Sequence, residues 1–172
     1  MCLKRGAACS ARITQSNLAL SYRTLNRTDE ALALTERVLD ANRRLLGSEH
    51  PETLISIANL AKFYMETKAL EKALPLFEEG EAGYRKVLGP AHPYAAQTIL
   101  GHGICLRQLE RHEQAAAKLA DAYELLTAIG PTMQGAARRA AQELVTVSEA
   151  LGRKEEADRW RAVVENLTPR RP

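Results

Sequence analysis

Apolar and small residues along this chain fall into columns 42 positions apart. One column reads Leu18, Leu60, His102, Leu144; the next reads Ala19, Ala61, Gly103, Val145; a third reads Leu25, Thr67, Leu109, Leu151. Within each copy these positions are i, i+1 and i+7, which share one face of an α-helix, here termed helix A. A short polar turn follows each copy: Asn26-Arg27-Thr28, Lys68-Ala69, Glu110-Arg111-His112 and Gly152-Arg153-Lys154. An acid then recurs at Asp29, Glu71, Glu113 and Glu155. An acid in the first helical turn is favoured by the positive end of the helix dipole, so a second helix, B, starts there. Its Ala31, Ala73, Ala115 and Ala157 are again 42 apart and small enough to mark the place where A and B touch.

The B helices end on glycine, at Gly47 and Gly89. Glycine takes the left-handed conformation past a helix end without penalty. Pro51 and Pro93 then suit the first turn of the next A helix, where a missing N–H costs nothing. The third joint, Ile129-Gly130-Pro131-Thr132-Met133, lacks the His-Pro pair and is one residue out of register. Pro75 lies a few positions into a B helix and predicts a kinked or shifted start there. The pattern predicts eight helices, over about 10–26, 29–46, 52–67, 70–88, 92–109, 112–129, 132–151 and 154–167. A fixed period of this length is the mark of stacked helical units, an all-α solenoid of about four antiparallel helix pairs. The expected organisation is an irregular 1–9, an array over 10–167 with units of about 10–50, 51–92, 93–131 and 132–167, and a frayed 168–172.

Composition narrows the function more by exclusion than by indication. There are 24 basic and 21 acidic residues, a net charge of +3, with Glu interspersed among Lys and Arg. That balance does not suit nucleic acid or an anionic membrane. No apolar run is long enough to span a bilayer. The three cysteines, Cys2, Cys9 and Cys105, form no even framework and read as reduced thiols of a cytoplasmic protein. Gly6-Ala7-Ala8-Cys9 looks like a lipoprotein box, but no apolar segment of useful length precedes it.

Two segments carry a resemblance. Asn-Leu-Ala-x-x-Tyr stands at Asn17–Tyr22 and Asn59–Tyr64, and Gly-x-x-His-Pro at Gly47–Pro51 and Gly89–Pro93. The chain resembles tetratricopeptide repeat proteins, and more narrowly the 42-residue kinesin-light-chain type. The third unit departs, with Gly101-His102-Gly103 in place of Asn-Leu-Ala; the fourth keeps Leu151-Gly152-Arg153-x-Glu155-Glu156-Ala157. The resemblance implies a right-handed superhelix whose A helices line a concave groove for a peptide or partner helix. Carried over by column, the groove residues are Asn17, Leu20 and Arg23 in the first unit and Ile55, Asn59, Lys62 and Met65 in the second. Arg107 and Arg139 follow in the third and fourth, with Gln97, Leu100 and Ile104 nearby. Asn17 and Asn59 could clamp a peptide backbone, because an amide both donates and accepts. They could equally bond neighbouring helices. The basic residues could attract acidic groups, or form a plain solvated face.

Other constellations read as structure. His50 and His92 recur with the joint and help to start a helix. His102, Cys105 and His112 suggest a metal, but no fourth ligand is evident, so a buried thiol beside a partly exposed histidine is expected. Tyr22, Tyr64, Tyr123 and Trp160 are expected in packing, and Glu78-Glu79 and Glu155-Glu156 on the solvated surface. The charged last helix suits a cap. The first, with Ile13, Leu18, Leu20 and Leu25 and few charges, reads as poorly capped. Self-association through that helix, or descent from a longer array, is the expectation.

No phosphate-binding glycine loop, kinase or nucleotide-hydrolase motif is present. The sequence therefore reads as a non-catalytic bacterial protein–protein interaction scaffold, binding a segment with apolar anchors and acidic residues and using no cofactor or metal. The alternative is a regulatory C-terminal fragment of a bacterial serine/threonine kinase or NTPase-type signalling protein, since Leu144–Ala162 resembles the closing unit of arrays found in such proteins.

Overall fold

The computed structural model describes residues 27–89 and 91–167. They form seven α-helices: α1 Thr28–Leu46, α2 Pro51–Glu66, α3 Leu70–Val87, α4 Pro93–Gln108, α5 His112–Ile129, α6 Gln134–Ala150 and α7 Lys154–Asn166. No strand occurs among the described residues, and no helix is long and apolar enough to cross a membrane. The helix expected over 10–26 lies outside them, and with it Tyr22 and the candidate groove residues Asn17, Leu20 and Arg23.

The joints show why the helices start and stop where they do. Pro51 and Pro93 occupy the first helical positions of α2 and α4. The preceding His50 and His92 turn Nδ1 back to accept from the backbone N–H of Glu52 and Tyr94, each at 3.2 Å. The histidines thus serve as side-chain caps for otherwise orphaned N–H groups. The third joint has neither. There a single 3₁₀ turn, Pro131–Met133, leads into α6, so that helix begins at Gln134 rather than near 132. Helix α3 starts at Leu70 and runs on through the exposed Pro75, so the shifted start does not occur.

A second periodic device closes the A–B turns. Lys68, Glu110 and Gly152, 42 apart, all have positive φ, at 64°, 59° and 72°. The following N–H of Ala69, Arg111 and Arg153 reaches back five residues, to the carbonyl of Tyr64, Leu106 and Ser148, at 2.8–2.9 Å. This left-handed cap satisfies the last carbonyls of each A helix. Two of the three residues carry a side chain in a region that favours glycine.

Successive helices pack on one another, and α4 also touches the other A helices, α2 and α6. The alanine column is wholly inside: Ala31, Ala73 and Ala115 have no exposed surface and Ala157 is 1% exposed. Gly103 extends the rule to α4 and α5. A Cβ there would stand 2.7 Å from Leu119 Cγ and 3.2 Å from the Leu119 backbone nitrogen. The outer B helices are joined by long side chains: Arg43 to Glu79 at 2.5 Å (α1 to α3) and Arg85 to Asp121 at 2.6 Å (α3 to α5). Helix α7 packs against α6. It buries Ala157, sets Trp160 edge-on to Tyr123 at 5.1 Å, and pairs Arg161 with Glu149 and Asp158.

Two stability outcomes follow. Gly103→Ala forces a methyl group into the α4–α5 contact and should cost about 1–3 kcal/mol in urea unfolding. Glu110→Gly relieves the left-handed side chain, partly offset by a freer unfolded chain, and should gain about 0.5–1 kcal/mol in the same measurement.

Candidate functional site

The described A helices and the inner edge of α3 enclose an open cleft of about 480 Å³. Ile55, Ala58, Asn59, Lys62 and Met65 of α2 form one wall. Their spacing of three or four residues puts them on one helical stripe. Gln97, Leu100 and Ile104 of α4 lie across from them, and Arg139 enters from α6. Five of the carried-over groove residues therefore line one concavity: Ile55, Asn59, Lys62, Met65 and Arg139.

Arg107 does not join them. Its Nε lies 2.6 Å from Glu143 Oε2, with both side chains mostly covered, so the charge is spent within a strut between α4 and α6. Asn59, by contrast, is exposed, and its amide bonds to no described residue. Lys62 and Arg139 are also exposed, and neither pairs with a described carboxylate. No described acidic residue lines the cleft. Its surface combines an apolar floor, the Asn59 amide, Gln97 with its Nε2 on Met133 Sδ at 3.6 Å, and two cations without described counter-ions.

The column reading missed Phe77 and Tyr84, which reach the floor from the B helix α3, and Tyr94 at the start of α4. The one signal for them was the break in the repeat at Gly101-His102-Gly103. A Cβ at Gly101 would stand 2.6 Å from Phe77 Cε1, so the phenyl ring occupies space that the Asn of the repeat would need. Tyr94 is half exposed, 6.0 Å from the buried Tyr84 ring and 5.4 Å from His92.

Beneath the floor lies an ionic cluster. His102 Nδ1 is 2.9 Å from Glu81 Oε2, Lys118 Nζ is 2.6 Å from Glu81 Oε1, and Arg85 is 3.4 Å from the same carboxylate. His102 is thus buried, not the partly exposed residue expected from sequence, because Glu81 meets its polar edge inside the stack. Burial pushes the Glu81 carboxyl up, but the hydrogen bonds from His102 and Lys118, and then their charges, outweigh it and bring it down to about 2. Cys105 points elsewhere, towards the Leu70 carbonyl at 3.7 Å, and burial raises its thiol to about 11. Among the described residues no three His, Cys, Asp or Glu side chains converge as metal ligands would. Tyr64 is buried with its hydroxyl on Glu36, and Tyr123 packs on Trp160.

A family model described as tetratricopeptide repeat matches residues 10–84 and 55–128. No curated protein sequence matches the chain. Among solved structures, BtubC (BKLC) from P. vanneervenii superposes with a TM-score of 0.84 at 17% identity, covering 94% of this chain and 68% of that one. A Podosopora anserina protein described as a kinesin light chain with nearly identical TPR-like repeats gives 0.80 at 24% identity, over 90% and 74% of the two chains. MamA 41-end from Desulfovibrio magneticus RS-1 gives 0.69 at 16% identity, over 96% and 88%. At such identities the likeness is one of fold.

The Glu81 cluster makes stability depend on acidity. Its carboxyl ionises near 2 in the folded chain against a usual 4.5, so its contribution is complete above pH 4.5 and is lost as pH falls towards 2. Melting temperature followed from pH 6 to pH 2 should therefore fall less steeply in Glu81→Gln than in the parent, although the variant starts lower.

Proposed function

The chain belongs to the tetratricopeptide repeat family, and from that premise we propose that it is a non-catalytic scaffold which holds an extended segment of a partner protein along the inner face of its A helices. The observation that supports this reading most is the makeup of the cleft: exposed Lys62 and Arg139 without described counter-ions, an Asn59 amide that bonds no described residue, and an apolar floor with no described acid in the lining.

An amide that bonds nothing within the fold retains its donors and acceptor for a backbone outside it. Two cations without partners lose no internal ion pair when an external carboxylate arrives. Apolar side chains of the ligand gain about 25 cal/mol for each Å² covered by the floor. The fitting ligand is thus a segment with apolar anchors and some carboxylates. Its attraction to the cations weakens as salt rises.

Asn59→Ala combined with Lys62→Ala tests the assignment. Both residues are exposed and bond to no described residue, so folding stability should change by no more than ~0.5 kcal/mol. Capture of partner protein from a native lysate on the immobilised chain should fall by roughly tenfold or more, the effect expected from losing one backbone clamp and one charge pair. Equal capture by parent and double variant would rule out this face as the binding surface.

A further inference from the structure

We propose that Gly101 is a specificity-determining residue: it turns the third rung of the groove from a polar clamp into a seat for one apolar side chain of the bound segment. The inference rests on the groove reading above and concerns what that groove selects.

Asn59, Gly101 and Glu143 form one column, 42 residues apart. These three positions are equivalent in the stack, yet each presents a different chemistry. Asn59 offers an exposed amide that bonds no described residue. Glu143 is held by Arg107 at 2.6 Å and offers little. Gly101 offers no side chain, and the space is taken from beneath by Phe77, whose Cε1 and Cζ lie 2.6 and 3.0 Å from the site of the missing Cβ. Phe77 belongs to a B helix, so here the floor of the groove is reached by a residue from the outer layer. Leu100 and Ile104, one residue before and three after Gly101, line the cleft beside it. The rung therefore has an aromatic edge at its base, aliphatic side chains at its flanks and no polar side chain of its own.

The ring is held there by the cluster below it. His102 lies parallel to Phe77, with 5° between the ring planes and 6.5 Å between centroids. His102 is fixed by Glu81, which Lys118 also holds. An imidazole tied to a buried carboxylate cannot swing aside to let the phenyl ring withdraw. The three departures at Gly101-His102-Gly103 thus act together. Gly101 opens the space, His102 backs the ring, and Gly103 admits Leu119 so that α5 closes on α4.

A polar side chain placed on this rung would lose water against Phe77, Leu100 and Ile104, while the nearby Thr98 hydroxyl already donates to the Tyr94 carbonyl and Gln97 Nε2 to Met133. An apolar one would be covered by Phe77, Leu100 and Ile104. The bound segment therefore carries an apolar residue at the position facing Gly101, irrespective of what it places over Asn59.

Selection of the full chain against a display library of random twelve-residue peptides tests this. Enriched peptides should share an apolar residue at one fixed position, favoured on the order of tenfold over polar residues. Gly101→Asn, which restores the residue of the repeat, should abolish that preference while still enriching peptides. Phe77→Leu, which shortens the base of the seat and retains an apolar core residue, should move the preference to bulkier side chains, and it decides the matter if Gly101→Asn does not fold. Peptides enriched without an apolar position overturn the role of Gly101 and leave the groove reading standing. The same preference in parent and variants does so too. Failure of the parent to enrich any peptide overturns the groove reading itself, and this inference with it.

Discussion

The whole structure depends on how closely two helices can approach within one unit. Ala73, Ala115 and Ala157 set that distance, because any larger side chain at these buried positions would separate helix B from its A helix. Close-packed interiors transmit such a change directly. Once the pair is fixed, its remaining apolar face has no cover of its own and must be stacked on the next pair. Repetition of one small residue thus yields an array in which A helices gather inside and B helices outside. The cleft between α2, α4 and α6 is a by-product of that stacking, and its chemistry is left to residues that the stacking does not constrain.

This division explains what could be read from the sequence. Among the described residues, what repeats was legible: the helix boundaries to within two residues, the histidine-proline joints, the buried alanines and the stripe of α2 facing the cleft. What does not repeat was hidden. Arg107 looked like a groove cation until its partner was known, and Glu143 stands 36 residues away on a different helix. His102 and Glu81 are 21 residues apart and share no column, so no periodicity links them. Phe77 reached the cleft only because Gly101 had departed from the pattern, and a departure signals change without saying what fills the gap. One periodic feature was legible and went unread. The column Asn26, Lys68, Glu110, Gly152 holds two residue types that tolerate the left-handed conformation, and the turn conformation at its last three members follows it.

The charged groups fall into two populations with different roles. Pairs on the outer layer, such as Arg43–Glu79 and Arg85–Asp121, are some 40% exposed on each side. Pairs of that kind contribute about 0–1 kcal/mol each. The Glu81 cluster is of the other kind: a buried carboxylate met by a histidine and a lysine from two neighbouring helices. Removing one partner of such a set is costly, because the remaining charge stays buried without compensation. The first population tunes the surface, while the second fixes the relation of α3, α4 and α5 directly under the cleft.

The outer ion pairs carry a mechanical consequence. Inner helices touch directly, whereas the outer α1 and α3 are bridged by the exposed Arg43–Glu79 pair, and α3 and α5 by Arg85–Asp121 beside the part-buried Lys118–Glu81 contact. Spreading α1 from α3 breaks the exposed Arg43–Glu79 pair, which water and salt can replace, whereas spreading α3 from α5 also unpairs the buried Glu81. Spreading the inner rim exposes apolar surface at about 25 cal/mol per Å². The array is thus an anisotropic spring, stiff along its inner arc and most yielding between α1 and α3 on its outer one. Ionic strength sets the softness of the yielding side, and with it the curvature that the cleft presents.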